Sequence, residues 1–278
     1  MGNAELVAMM LADGRLPAGG HTQSGGLEPA VRAGLGADGK ELADVAAYAR
    51  DRLRTVTRVE AATAVVTRHL ALHSRAPTAL ATTIPDSSSR GEWFAPVSPS
   101  RGSRLENPPA DDLDPRLDER EAEQAWGESW VGVVEGGWAA RVPSQVLRGV
   151  SRRQGRLLLR LAQRVWPEVA AYLPADCEIA RPVVLGVVGA VTGLSAEQVA
   201  RIVAYDDAQT VIAASLKLLP VDPADAATWL ADLHDDIERL VKDVAPLTHV
   251  DQIPADGAPL IDVFAHQHAI ERMRLFHA

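Results

Sequence analysis

Several short stretches of this chain hold residue types that do chemistry elsewhere, and each lacks a part that the chemistry needs. Gly34-Leu35-Gly36-Ala37-Asp38-Gly39-Lys40 fits the first seven places of a phosphate-binding loop, in which backbone amides and a lysine cradle the phosphates. The eighth place calls for a Ser or Thr to hold magnesium; Glu41 stands there, and its carboxylate repels phosphate. The stretch reads as a glycine turn between two helices. Thr22-Gln23-Ser24-Gly25-Gly26 nearly matches a hydrolase nucleophile elbow, but the first glycine is missing. No sheet is visible in the pattern to carry the strand-to-helix turn that an elbow requires. Ser24 reads instead as the cap of a following helix, its oxygen accepting from first-turn amides, a contact typically worth about 1 kcal/mol. His266 and His268 are two apart and point to different faces of a helix, whereas ligand pairs sit three or four apart. His69 and His73 do share a face, but transition metals take three or four ligands. His21, in a glycine loop, reads as a hydrogen-bonding residue. These residues predict no catalytic group, no metal site and no cofactor.

Two further features point to binding. Arg148, Arg152, Arg156, Arg160 and Arg164 recur every four residues and are expected to line one helix face. That face is either solvated and paired with an acidic stretch of the same chain, or a docking surface for an acidic partner. The chain closes on Met273-Arg274-Leu275-Phe276-His277-Ala278, unusually apolar for a terminus. Such a tail either folds back on its own core or anchors a partner, since aromatic residues and arginine dominate interface hot spots.

The elements that must position these residues are helical. Hydrophobic residues make up 47% of the 278 and aromatics only 4%, and an excess of Ala, Leu and Val favours helices around a sizeable core. A net charge of −9 argues against nucleic-acid binding. A single cysteine, Cys177, rules out an intrachain disulfide and fits a reducing compartment. No secretory signal or membrane span is expected, so the reading is soluble and cytoplasmic. Helices are predicted at Ala4–Ala12, Leu27–Ala33 and within Lys40–Leu72, where Leu42, Val45, Ala49, Leu53, Val56, Val59, Thr63, Val66 and Leu70 make one apolar stripe. That last segment is either one long helix or two joined by a kink. Of the 42 residues of Ser74–Pro115, 16 are Ser, Pro or Gly, and Leu105–Glu123 adds eight acidic residues against two arginines. Residues 74–117 are therefore expected to be a disordered insertion, between helices of residues 1–73 and those of 118–278. Ser144 caps a helix to Val165 with Leu147, Val150, Leu157, Leu158, Leu161 and Val165 on its apolar side. Pro182–Val191 follows, closed by Gly193. Ser195 and Gln198 then form a capping box, Pro223 opens a helix running through Leu233 and Val244, and a last helix starts at about Asp262. The fold class is all-α, a single-domain bundle of about eight to ten helices.

In order and spacing these motifs resemble the urease accessory protein UreF family over most of the chain except the insertion. Leu16-Pro17, Gly19-Gly20, Ser24 and Gly26-Leu27-Glu28 match the family's front pattern, with Gly14 where Ser is common and His21 where many members carry an aromatic. Arg148, Ser151, Arg152, Gln154, Gly155, Leu158 and Leu159 match its middle helix; Asp262, His268, Arg274, Leu275 and Phe276 match its end, with Ala269 for a usual Glu and Ala278 for a usual Ser. The resemblance implies an all-helical homodimer that binds UreD (also called UreH), then the GTPase UreG. The assembly helps to insert nickel into apo-urease (UreABC) after its active-site lysine is carbamylated, and the chain modulates GTP hydrolysis without being an enzyme. It also implies partner-binding roles for Pro17, Gly20, Ser24, Glu28, Arg152, Gln154, Gly155, His268, Arg274, Leu275 and Phe276, with the tail ordering against UreD. The competing readings are a helical metal-dependent hydrolase or nickel carrier built on histidines and carboxylates, and a helical adaptor outside the urease system.

Overall fold

The computed structural model describes residues 2–18, 22–35, 43–74, 127 and 129–276. Gly20 and His21, residues 36–42, residues 75–117 of the expected insertion, and His277 with Ala278 lie outside the described residues. So does most of the stretch likened to a phosphate loop.

All regular structure among the described residues is helical, as the composition predicts. It comprises α1 (Gly2–Leu11), α2 (Leu27–Arg32), α3 (Ala43–Arg54), α4 (Val56–His73), α5 (Trp130–Ala139), α6 (Gln145–Val165), α7 (Arg181–Thr192), α8 (Ala196–Leu218), α9 (Pro223–Asp232), α10 (His234–Val244) and α11 (Pro259–Ile270), with short 3-10 turns at Pro167–Ala171 and Val250–Gln252. The Lys40–Leu72 pattern resolves into two helices. Thr55, at φ −124° and ψ −98°, breaks the register between α3 and α4. The stripe nonetheless stays inward through the break, with Val45, Ala49, Leu53, Val59, Thr63 and Val66 all buried. The segment opened by Pro223 also divides, at Leu233, which is wholly buried at the joint.

The helices are punctuated where local chemistry predicts. Ser144 and Ser195 accept from the amides of Leu147 and Gln198, and Gln198 returns a bond to the Ser195 amide. One feature of α6 departs from the sequence pattern. Its buried face is Ser151, Gly155, Leu158, Leu159 and Ala162, while Leu157 and Val165 are exposed. Gly155 explains the rotation. A Cβ there would lie 1.9 Å from the carbonyl oxygen of Ile179, so only glycine lets α6 approach the backbone that enters α7.

At the centre, α4 packs against α7 and α8; α3, α9 and α10 flank α8, and α5 and α6 cover α4 and α7. One apolar core joins helices from both sides of residues 75–126. The helices α2 and α11 close one end, α2 against α8 and α11 against α6. That arrangement brings the front signature and the end of the chain together.

Candidate functional site

The site begins at the turn Ser24-Gly25-Gly26. Gly25 and Gly26 have φ of 60° and 79°, left-handed values that L side chains rarely adopt. Gly26, not Ser24, is the N-cap of α2. Ser24, fully buried, still accepts from a first-turn amide, that of Glu28, at a long 3.4 Å. The Gly25 carbonyl is fixed from below by the Tyr48 hydroxyl at 3.0 Å and the Arg52 guanidinium at 2.8 Å. Arg52 in turn grips Asp207 through two bonds of 2.5 and 3.0 Å, and Thr57 donates to the same carboxylate at 2.6 Å. Burial opposes the charge on Asp207, but Arg52, Thr57 and Arg181 hold its carboxyl below the usual range. The same pairing raises the pKa of Arg52 against the opposing effect of its burial. Helices α3, α4 and α8 are thus tied to the front turn through a compensated buried charge.

From that turn α2 projects Glu28 inward. Its residue is 1% exposed, and its carboxylate accepts from the backbone amides of Leu275 at 2.8 Å and Phe276 at 2.9 Å. Arg32, one helical turn on, donates to Glu28 at 2.6 Å and to the Met273 carbonyl at 2.8 Å, and pairs with Glu271. His268 completes the ring. Its Nε2 lies 3.2 Å from the Phe276 carbonyl oxygen and 3.7 Å from the nearer Glu28 oxygen. A carbonyl only accepts, so Nε2 carries the proton in that bond. Nδ1 has no hydrogen-bond partner among the described residues and sits 3.6 Å from Glu271. The Phe276 ring is 5% exposed, with the Lys217 ammonium 5.1 Å from its centre.

This arrangement corrects the picture of a projecting apolar tail. Phe276 folds back and is sealed within its own subunit, because Glu28 satisfies the two backbone amides that would otherwise hold it in water. What stays outside is the neighbouring surface: Ile270, Met273 and Leu275 are 74%, 83% and 61% exposed, with Arg274 beside them. The other residues of the expected site separate. Pro17 is exposed on the front loop. Arg152 bonds Glu135 at 2.8 Å and lies over the Trp138 ring. Gln154 borders a groove of about 600 Å³ with Thr22, Gln23, Arg153 and Arg274. Gly155 faces inward, packed against the backbone preceding α7.

Among the described residues the histidines do not converge. His69 and His73 stack with ring centres 4.1 Å apart, and His73 Nδ1 bonds the His69 carbonyl oxygen. Among the described residues no three of His, Cys, Asp and Glu are grouped to hold a metal ion, and no helix is long and apolar enough to cross a membrane. Arg32, Glu271 and the Arg52–Asp207 pair escaped the sequence reading. Arg32 had a signal in its four-residue spacing from Glu28 on one helix; Asp207, distant in sequence from its partners, had none.

The fold and site together define a helical protein whose two terminal signatures assemble into one polar clasp under an apolar, arginine-bearing surface. Comparison with known proteins agrees with that grouping. The family model for UreF matches residues 120–234. Over 267 residues the chain is 33% identical to the urease accessory protein UreF of Mycolicibacterium vanbaalenii, covering 96% of this chain and 94% of that one. It is 31% identical over 272 residues to the protein of the same name from Mycobacterium sp. (strain JLS), covering 96% of both, and 29% identical over 269 residues to that of Mycobacterium tuberculosis, covering 96% and 95%. The chain belongs to the urease accessory protein UreF family.

Proposed function

We propose that this chain is a non-catalytic adaptor of urease maturation. It acts in the cytoplasm as a homodimer, binds UreD (UreH) and then the GTPase UreG, and so assists nickel insertion into apo-urease while tuning GTP hydrolysis by UreG. Nickel is the cargo of that assembly; the chain uses no cofactor of its own. The observation that carries the reading is the clasp, in which Glu28 of the front signature fixes the backbone of the closing residues and thereby sets out Ile270, Met273, Arg274 and Leu275 on one surface. Exposed apolar side chains beside arginine on a rigid backbone are the composition of interface anchors. Phe276 and His268 serve that surface by holding it, and the front signature that carries Pro17, Gly20, Ser24 and Glu28 takes part in partner binding.

Two variants test the assignment. Deleting Arg274–Ala278 removes the Glu28 bonds to Leu275 and Phe276 together with Arg274 and Leu275 of the surface; Leu275→Asp changes the surface and leaves the Glu28 bonds intact. Co-purification with UreD and UreG, and nickel-dependent urease activation, are the readouts. Both variants are expected to lose UreD. A central anchor is worth about 2 kcal/mol, roughly thirtyfold in affinity. Full complex and full activation in both would overturn the assignment.

A further inference from the structure

The arginines of α6 do not form the single stripe that their spacing suggests. A four-residue step turns a helix by 400°, so each successive arginine lies about 40° further round, and five of them sweep about 160°. The structure divides them accordingly. Arg148 caps the carbonyls of Val142 and Pro143, and Arg152 is held by Glu135. Arg156 reaches Asp176 only at 3.8 Å, and Arg160 and Arg164 make no ion pair among the described residues. Arg153, not part of the four-residue series, joins them. Arg153, Arg156, Arg160 and Arg164 fall within an arc of about 80° directly opposite the buried face, and all are exposed. Leu157, 43% exposed, borders this arc. Arg153 and Leu157 also line the groove of about 600 Å³ that runs past Gln154 to Arg274.

On a chain of net charge −9 this is a local excess of positive charge set beside an exposed apolar side chain, Leu157. Like charges at such spacing repel and cost stability, so the face is better suited to meeting negative charge than to standing alone in water. We propose that the outer face of α6 docks an acidic amphipathic segment of a partner polypeptide, with carboxylates over Arg153, Arg160 and Arg164 and an apolar side chain against Leu157. The occupant follows from charge complementarity and from the apolar flank, which a free anion or a polyphosphate would leave unused. This surface adjoins the exposed tail through the groove that Arg274 also lines, but Arg160 and Arg164 lie outside that groove, and the proposal does not rest on the tail's assignment.

The probe is a fluorescein-labelled synthetic helix carrying glutamates on one face and leucines beside them, with a scrambled peptide of the same composition as reference. Anisotropy with the full chain is expected to show binding that weakens as salt rises. Arg160→Glu/Arg164→Glu should weaken it at least about tenfold, whereas Arg54→Glu/Lys242→Glu, with the same change in net charge, should leave it within about twofold. Leu157→Ser should weaken the ordered helix and not the scrambled peptide. Equal binding of ordered and scrambled peptides, equal loss in both charge-reversed variants, or no binding would overturn the proposal. A variant lacking residues 105–123 supplies the remaining arm. Unchanged affinity supports a partner as the occupant; an affinity at least tenfold higher would assign the face to the chain's own acidic stretch and overturn the proposal.

Discussion

Asp207, half-buried, and Glu28, fully buried, are both carboxylates held by an arginine together with neutral donors, yet they do different work. Asp207 takes all its bonds from side chains, two from Arg52 and one from Thr57, and these lie on helices anchored at both ends in the core. Glu28 takes two of its bonds from the backbone of residues 275 and 276, close to the end of the chain. Opening the first means separating α3, α4 and α8. Opening the second means peeling away a few terminal residues and leaving the bundle standing. The same chemical device therefore fixes a fold in one place and a surface in the other.

The comparison breaks most visibly at Arg52. Arg52→Ala empties a buried position and leaves the half-buried Asp207 without the arginine bonded to it, and it leaves the Gly25 carbonyl with Tyr48 alone, so the variant is expected to lose about 3–5 kcal/mol, read as a large drop in the denaturation midpoint. The loss should shrink in Arg52→Ala/Asp207→Asn, which removes the stranded charge. Because Asp207 titrates below its ordinary value, its contribution is present above the unfolded carboxyl range and lost as pH falls through the folded one.

Another carboxylate, the half-buried Glu60, gives the opposite pH dependence. Glu60 accepts from the Trp138 indole at 2.7 Å, and burial pushes its carboxyl up to about 7, with no arginine bonded to it among the described residues. The folded state therefore holds this proton more tightly than the unfolded chain. The group costs nothing below about pH 4.5 and destabilises increasingly as pH rises toward 7. Glu60→Gln keeps an acceptor for Trp138 and removes the titration. It is expected to match the parent near pH 4.5 and to exceed it by up to about 3 kcal/mol at pH 8, measured by denaturant titration across that range. Equal pH dependence in the two proteins would show that Glu60 remains ionised.

The legible and illegible parts of this molecule divide along sequence separation. Ser144, Ser195 and Gln198 act on amides three residues away, and Gly193 ends α7 with a left-handed φ of 73°; such local geometry follows from residue type alone. The stripe from Val45 to Val66 was readable because helix period and burial coincide. Leu157 and Val165 misled because apolar character alone does not say which side of α6 meets α7; the glycine at 155 does, and only once Ile179 is known to lie against it. The clasp was readable in parts. Glu28, His268 and Phe276 each stand in a recognisable motif, but their meeting joins residues 247 and 248 positions apart. Composition left the direction of Phe276 open, because an aromatic at a chain end is equally suited to a partner's pocket and to its own.

Glu28→Gln sharpens the contrast with Asp207 at the smallest scale. The amide keeps one acceptor for the two backbone donors and turns an NH₂ group toward the other, while Arg32 loses its charged partner at 2.6 Å. Hydrogen bonds to a charged group contribute about 1.5–3 kcal/mol, so opening the tail should become easier by about 2 kcal/mol, roughly thirtyfold in the open population. Amide exchange at Leu275 and Phe276 should accelerate by that factor, and a carboxypeptidase should trim the chain sooner. The denaturation midpoint of the bundle should move little, because α2 and α11 stay packed against α8 and α6. If the midpoint instead fell as far as in Arg52→Ala, the chain end would be part of the cooperative core, and the surface it carries would be as rigid as the fold beneath it.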